Sequence, residues 1–431
     1  MEEGMAEVVG RENELILIQV AVRCSRNMLT AEENIQKAVN EVGNLATCEM
    51  IKQFDTDGSP IKIGNEKFTS KGQEPKTYQT PYGEVNLERH VYQSSQGGQT
   101  YCPLEVDARI IITSTPRFAK IVSHKYSNGG AGQALEDLEE SNSRKVSRSF
   151  VQNIAEAVSS TVEAKESVWS YDLPELPSPV KSVSIGLDGT CMLLCKEGYR
   201  QAMVGTIALF DRKGKRMHTI YTAATPEYGK ETFINRFEAE IQKIKDAFPK
   251  AEYIGIADGA KDNWPFLEKH TGCQILDFWH ATQYLSSAAD AMYTGKNKQA
   301  RRKEWLDLAC HKLKHTQGSA SRLLNEMKLF RDNNNISPAR SKKIGDAITY
   351  FTNHKKKMKY AVNTIKNYPI GSGITEAACK VIVKQRLCCS GMKWKEPGAA
   401  AVLRLRTLNR STGRWSQFWS KVGQYGLPIA A

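Results

Sequence analysis

Residues 180–190 read VKSVSIGLDGT and residues 251–260 read AEYIGIADGA. Each is a short, largely β-branched apolar run closing on Asp-Gly, so each is expected to be a strand that delivers an aspartate, Asp188 or Asp258, at its end. A carboxylate beside a buried sheet is costly unless hydrogen bonds or a cation compensate its charge. Asp-Gly is also a common turn dipeptide, and either aspartate taken singly is explained by a turn. The surroundings decide between the two readings.

Outward from residue 190, YRQAMVGTIALFD (199–211) and KRMHTIYTAA (215–224) form an expected hairpin across residues 212–214. KETFINRFEAEIQKIKDAF (230–248) has the spacing of an amphipathic helix, DNWPFLEKHTG (262–272) that of a short helix, and CQILDFWH (273–280) a further strand. Three consecutive strands, helix, strand, helix, strand is the element order of a ribonuclease-H-like α/β domain, which places the strands of Asp188 and Asp258 side by side. From residue 281 to residue 366 the chain is basic, helical and strand-poor, as expected of an all-α insertion. A third acid, Glu376, then follows the loop NYPIGSG on the expected helix GITEAACKVIVKQRL. It lies 118 residues beyond Asp258, which is itself 70 beyond Asp188, so only tertiary folding can unite them.

Before residue 180 the chain changes character twice. Apolar residues at Leu15, Ile18, Val22, Ile35, Val39 and Val42 suggest a helical pair broken near residues 27–30. Between residues 50 and 112 short runs punctuated by Gly and Pro suggest a small β-rich unit, in which EVNLERHVY is either a plain exposed strand or a DNA-facing ribbon. AGQALEDLEE and SRSFVQNIAEAVSSTVEAK, separated by SNSRKV, suggest a helix-turn-helix, with Ser149 and Gln152 as its capping box. Arg144, Lys145 and Arg148 would stand where a recognition helix meets DNA. The proline-rich YDLPELPSPV marks a domain boundary. The expected organisation is therefore an α+β N-terminal region (1–115), a helix-turn-helix (116–170), a catalytic domain (180–285), a basic helical insertion (286–366), and the last part of the catalytic domain with a C-terminal helix (367–431).

Composition narrows the partners. Of 431 residues, 40% are hydrophobic and 25% charged, ordinary values for a folded protein. The net charge of +13 is unevenly spread: residues 291–431 hold 28 Lys and Arg against 7 Asp and Glu, whereas the rest of the chain holds 32 against 40. So large a C-terminal excess self-repels without a polyanion, and neutralising phosphates releases counterions, which favours nucleic acid over a merely solvated face. The acidic start MEEGMAEVVG does not read as a signal peptide, no run approaches a membrane span, and the ten cysteines form no CxxC pair. Reduced cytosolic thiols are expected. SNGGAGQAL lacks a following Gly-Lys-Ser/Thr, so no nucleotide cofactor is expected. Trp264, Trp279, Trp415 and Trp419 read as core residues.

Glu376 is followed at helical spacing by Lys380 and Lys384, setting the acid and two bases on one side of the helix. With Arg386 they would hold a DNA backbone; the alternative is pairing within the helix, worth about 0.2–0.5 kcal/mol per pair. Trp394, flanked by Lys393 and Lys395, would stack on an unpaired base or anchor the C-terminal helix.

The stretches SIGLDGT, GIADGAKDNW, LDFWHATQYL, GSGITEAACKVIVKQRLCCSGMKW and GRWSQFW, taken in order, resemble bacterial DDE transposases of insertion sequences, specifically the ISKra group, over residues 180–419. The resemblance implies that Asp188, Asp258 and Glu376 are the catalytic acids and bind two Mg²⁺ ions, with Mn²⁺ as a substitute. Asp277-Phe-Trp-His280 looks like the Asp-x-x-His motif of Mutator-like transposases, in which His280 would contact DNA near the scissile phosphate. Double-stranded DNA, both terminal inverted repeats and target, is the implied partner of a homodimer or larger assembly in the cytoplasm at the nucleoid. Two rivals remain open: a structure-selective nuclease or resolvase, and a domesticated DNA-binding protein without catalysis.

Overall fold

In the computed structural model, which describes residues 6–426, the stretch after the proline-rich segment builds one five-stranded sheet. Its strands are β1 (Ser182–Leu194), β2 (Gly198–Phe210), β3 (Arg216–Ala224), β4 (Glu252–Ala257) and β5 (Cys273–Leu276). They lie in the order β5-β4-β1-β2-β3, with β1 to β3 an antiparallel meander and β4 and β5 parallel to β1. The parallel steps need crossovers, supplied by α1 (Glu231–Ala247) and the short α2 (Trp264–His270). Phe233, Phe237, Ile241 and Ile244 recur on one stripe of α1 and are buried against the sheet with Val183, Ile185, Ile207 and Ile254.

Asp188 is not at a strand end. β1 runs on to Leu194, with Asp188 opposite Val204, so the Asp-Gly pair makes no turn there. Asp258 does follow the last residue of β4, and Gly259 takes a left-handed φ of 107°. α3 (Phe278–Met292), α4 (Gln299–His315), α5 (Ser319–Asn333) and α6 (Pro338–His354) follow β5, and Leu285, Leu313, Leu323, Met327 and Phe351 join them to the core of the sheet. Glu376 comes on a short helix, α7 (Gly373–Ala378), which passes into a π-helical turn over Cys379–Lys384.

The chain divides into two compact units. The sheet and its helices, residues 173–403 and 410–412, form one; residues 6–172, with 404–409 and 413–426, form the other. The latter part of the tail expected to belong with the catalytic domain therefore belongs to the N-terminal unit. There Arg406 is buried and donates to the Ser127 carbonyl at 2.5 Å, and Phe418, fully buried, meets Trp169 edge-on with ring centroids 5.7 Å apart.

The N-terminal unit differs from expectation at its start. Ala6–Glu12 and Leu15–Val20 are an antiparallel hairpin, not a helix; a single helix, Met28–Lys52, follows. LILIQV satisfies both periodicities, and the turn is made by Asn13 at φ 52°. A four-stranded antiparallel sheet then spans residues 61–101, and EVNLERHVY turns Arg89 inward, where it and Lys76 bond the Glu105 carboxylate at 3.2 and 2.7 Å. What that strand exposes is Glu84, Asn86 and Glu88, which suits a plain strand and not a DNA-facing ribbon. Helices occupy Pro116–Asn128, Ala131–Asn142 and Arg148–Lys165. The last is capped by Ser147, whose hydroxyl accepts from Phe150 N–H at 3.1 Å, so the Ser149–Gln152 box is not formed.

Candidate functional site

Three elements converge at the C-terminal end of β4. β1 presents Asp188, the β4 exit presents Asp258, and α7 presents Glu376, and all three line one cavity of about 760 Å³ together with His280, Ser372, Lys380 and Lys384. Close packing seats α7 over β1. Gly186 lies under Thr375, whose hydroxyl is hydrogen-bonded to that of Thr206 at 2.8 Å, and a Cβ on Gly186 would stand 2.2 Å from Thr375 Oγ1. At the β4 exit the Asp258 carboxylate accepts from Ala260 N–H at 3.0 Å, and its carbonyl accepts from Tyr350 Oη at 2.8 Å. The Tyr350 ring is itself stacked on Tyr284 at 3.8 Å.

Asp188 accepts from the Gly189 N–H at 2.7 Å and from the Cys379 thiol at 3.6 Å. Burial pushes its carboxyl above the ordinary range, and the charges of Asp258 and Glu376 push the same way, against the two hydrogen bonds. Burial and the neighbouring Asp188 raise the Cys379 thiol to about 12, so it remains a neutral donor.

A buried clamp fixes Glu376. Asp277, 1% exposed, caps α3 by accepting His280 N–H at 2.6 Å, and its Oδ1 also meets His280 Nδ1 at 3.0 Å. Its Oδ2 accepts from Ser372 N–H at 2.5 Å and Ser372 Oγ at 2.8 Å. Ser372 Oγ in turn lies 2.6 Å from Glu376 Oε1, and His280 Nδ1 lies 3.9 Å from the same oxygen. Asp277 thus ties the loop that starts α7 to the end of β5. Ser372 carries no catalytic signature in the sequence, and the only hint of its role is its position four residues before Glu376, one helical turn.

Asp277, His280 and Glu376 offer ligand atoms within 4.8 Å of one another, a spacing that the set of Asp188, Asp258 and Glu376 does not reach. Both Asp277 oxygens already accept two hydrogen bonds each, so this closer group is better described as a hydrogen-bond network than as a metal cage. The open acids suit a hard cation better. Their donors are carboxylate oxygens, and a divalent ion bound among them would offset both the burial that mainly raises Asp188 and the smaller repulsion from Asp258 and Glu376.

The basic residues divide. Lys380 and Lys384 are exposed at the cavity, and Lys393 is exposed beyond the π-helical turn. Arg386 is 2% exposed, its guanidinium packed 5.1 Å above the Trp394 ring, and it cannot hold a DNA backbone from there. Trp394 is half-buried, donates Nε1 to the Leu387 carbonyl at 2.9 Å and bridges to β1 at Leu194, so it serves as an anchor and not as a stacking platform. Arg144 is also buried: it donates to the Thr80 carbonyl and the Gln79 side chain and covers the Phe118 ring. Lys145, paired with Glu139, and Arg148 remain exposed. Trp264 and Trp419 are buried as expected, whereas Trp279, beside His280, is 64% exposed and not a core residue. All ten cysteines are free, and among the described residues no helix is long and apolar enough to cross a membrane.

No family model matches the chain, and no curated protein matches its sequence.

Proposed function

We propose that the chain is a DDE transposase that binds the terminal inverted repeats of its own insertion sequence, cuts DNA there and joins the freed strands to target DNA. One observation carries the reading: acids separated by 70 and 118 residues line a single cavity whose other charged lining includes Lys380 and Lys384. An antiparallel three-stranded meander extended by two parallel strands is the arrangement expected of a ribonuclease-H-like sheet and supports it further. Asp188, Asp258 and Glu376 would hold Mg²⁺, or Mn²⁺ in its place. Bound there, two such ions supply activation of the attacking oxygen and stabilisation of the leaving one.

The chain's own residues set up the substrate. Lys380 and Lys384 draw the phosphodiester toward the acids, by an attraction that salt weakens. Asp277 accepts from His280 Nδ1, and the imidazolium form of the ring would then present Nε2–H to a DNA phosphate. Ser372 keeps Glu376 turned to the cavity. Paired ends call for at least two copies, acting at the nucleoid.

The test uses the purified full chain, Mg²⁺ and a plasmid carrying the DNA that flanks the gene. Asp188→Asn, Asp258→Asn and Glu376→Gln are each expected to abolish strand cleavage while retaining DNA binding, and normal cleavage by any one of them defeats the assignment. Strand-transfer products into a second plasmid distinguish a transposase from a nuclease that only hydrolyses.

A further inference from the structure

Of the three acids, Asp258 has the least support from its own surroundings. Asp188 is paired within β1, opposite Val204, and Glu376 is tied to Ser372. The pairing of β4, by contrast, ends at Ile256 with β1 and at Ala257 with β5, short of Asp258. Beyond it the chain turns through Gly259 at φ 107° and leaves the sheet for α2. The Asp258 carboxylate closes a local turn by accepting the Ala260 N–H through Oδ1, which orients the side chain only relative to its own peptide planes. What places those planes at the cavity has to come from elsewhere in the fold.

It comes from the last helix of the basic insertion. Among the described residues, the other side chain that hydrogen-bonds Asp258 is Tyr350 on α6, which donates Oη to its carbonyl at 2.8 Å. The fit is close, since a Cβ on Gly259 would stand 3.1 Å from that hydroxyl oxygen. The Tyr350 ring is fixed in turn: it stacks within 13° of parallel on Tyr284, one turn after His280 on α3, and meets the His354 ring with centroids 4.8 Å apart. Tyr350, His354 and Lys357 are spaced by four and three residues, one face of α6 and of the turn that follows it. All three grip the segment leaving β4. His354 meets the Trp264 ring at 6.4 Å, and Lys357 lies 4.7 Å above that ring and bonds Glu268 at 3.1 Å.

We propose that Tyr350 is the positioning residue of Asp258, which makes the helical insertion a working part of the metal-binding site in addition to any DNA it touches. Tyr350 fixes the peptide plane that follows Asp258, and the Ala260 N–H occupies Oδ1, so Oδ2 is the oxygen left for a cation. The inference rests on the proposed reading of the three acids as cation ligands and adds to it a residue 92 positions away from the acid it sets.

The experiment measures Mn²⁺ binding to the full-length chain by electron paramagnetic resonance, without DNA, and in parallel the Mg²⁺ dependence of strand cleavage. Tyr350→Phe removes the hydroxyl and keeps the stacked ring, so the variant is expected to fold, with an unchanged circular dichroism spectrum. Its Mn²⁺ affinity is expected to fall about 10–100-fold, the usual worth of an outer partner of a metal ligand, and its half-maximal Mg²⁺ concentration to rise in step, with DNA affinity unchanged. Tyr284→Phe takes a hydroxyl from the other ring of the stack and should leave both quantities as they were. Wild-type Mn²⁺ affinity in Tyr350→Phe overturns the inference while the reading of the acids stands. An equal loss in Tyr284→Phe overturns it in favour of plain packing. Asp258→Asn, measured beside them, separates the two levels: if it binds Mn²⁺ and cleaves DNA normally, the reading of the site falls and this inference with it.

Discussion

At the scale of single residues the candidate site turns on Ser372. Its one hydroxyl proton faces two carboxylates, Asp277 at 2.8 Å and Glu376 at 2.6 Å, so it links a buried acid to the exposed one that would receive the proposed cation. Outer partners of metal-binding side chains are commonly worth about 10–100-fold in activity or metal affinity. Ser372→Ala is expected to lower kcat for strand cleavage by that range and to raise the Mg²⁺ concentration needed for half-maximal rate, with DNA affinity unchanged. Ser372→Thr keeps the hydroxyl and should restore most of both. Equal activity of the alanine and threonine variants would show that Glu376 needs no such tether. Arg144 and Arg386 make the opposite point: both lie in basic stretches of the sequence, yet each lies over an aromatic ring with its charge turned inward. Sequence displays charge, but it does not display which side of the backbone that charge takes.

At the scale of elements, α7 is held over β1 by the absence of a side chain. Gly186 leaves room for Thr375, one residue before Glu376, and a methyl group there would have to push α7 off the sheet or break the Thr375–Thr206 hydrogen bond. Gly186→Ala is expected to cost about 1–3 kcal/mol in stability, the usual range for overpacking. It should also impair cleavage more than DNA binding, because Glu376 moves with α7 while exposed lysines tolerate a small shift. Chemical denaturation paired with a cleavage assay checks this; unaltered cleavage would mean that α7 is not seated by this contact. The strands and helices of this unit were largely legible, since their apolar periods are long and unambiguous. The hairpin at residues 6–20 was not. LILIQV is apolar at nearly every position, so a helical stripe and a strand face fit it equally, and the choice fell to a turn at Asn13.

At the scale of the molecule, the chain crosses between its two units more than once. Residues 404–409 and 413–426 complete the N-terminal unit, with Phe418 fully buried there. Phe418→Ala is expected to destabilise that N-terminal unit by about 3–5 kcal/mol, as large-to-small changes at buried aromatics do. Calorimetry should then resolve a transition lowered for the N-terminal unit alone, and hydrogen exchange should localise the loss to residues 116–172. Protection unchanged in that segment would contradict the assignment of the C-terminal helix.

The sequence by itself determined the strands bearing Asp188 and Asp258, the helical stretch between the second and third acids, the helix of Glu376 and the concentration of positive charge in the last third of the chain, because periodicity, turn chemistry and composition are local properties. Tertiary structure alone decided that β1 continues past Asp188, that Asp277 and Ser372 fasten Glu376 at the cavity, that Arg144 and Arg386 are buried, and that the C-terminal helix belongs to the first unit. Each of these depends on contacts between residues tens to hundreds of positions apart, where burial and hydrogen-bond partners are settled by packing and leave no mark in the local pattern.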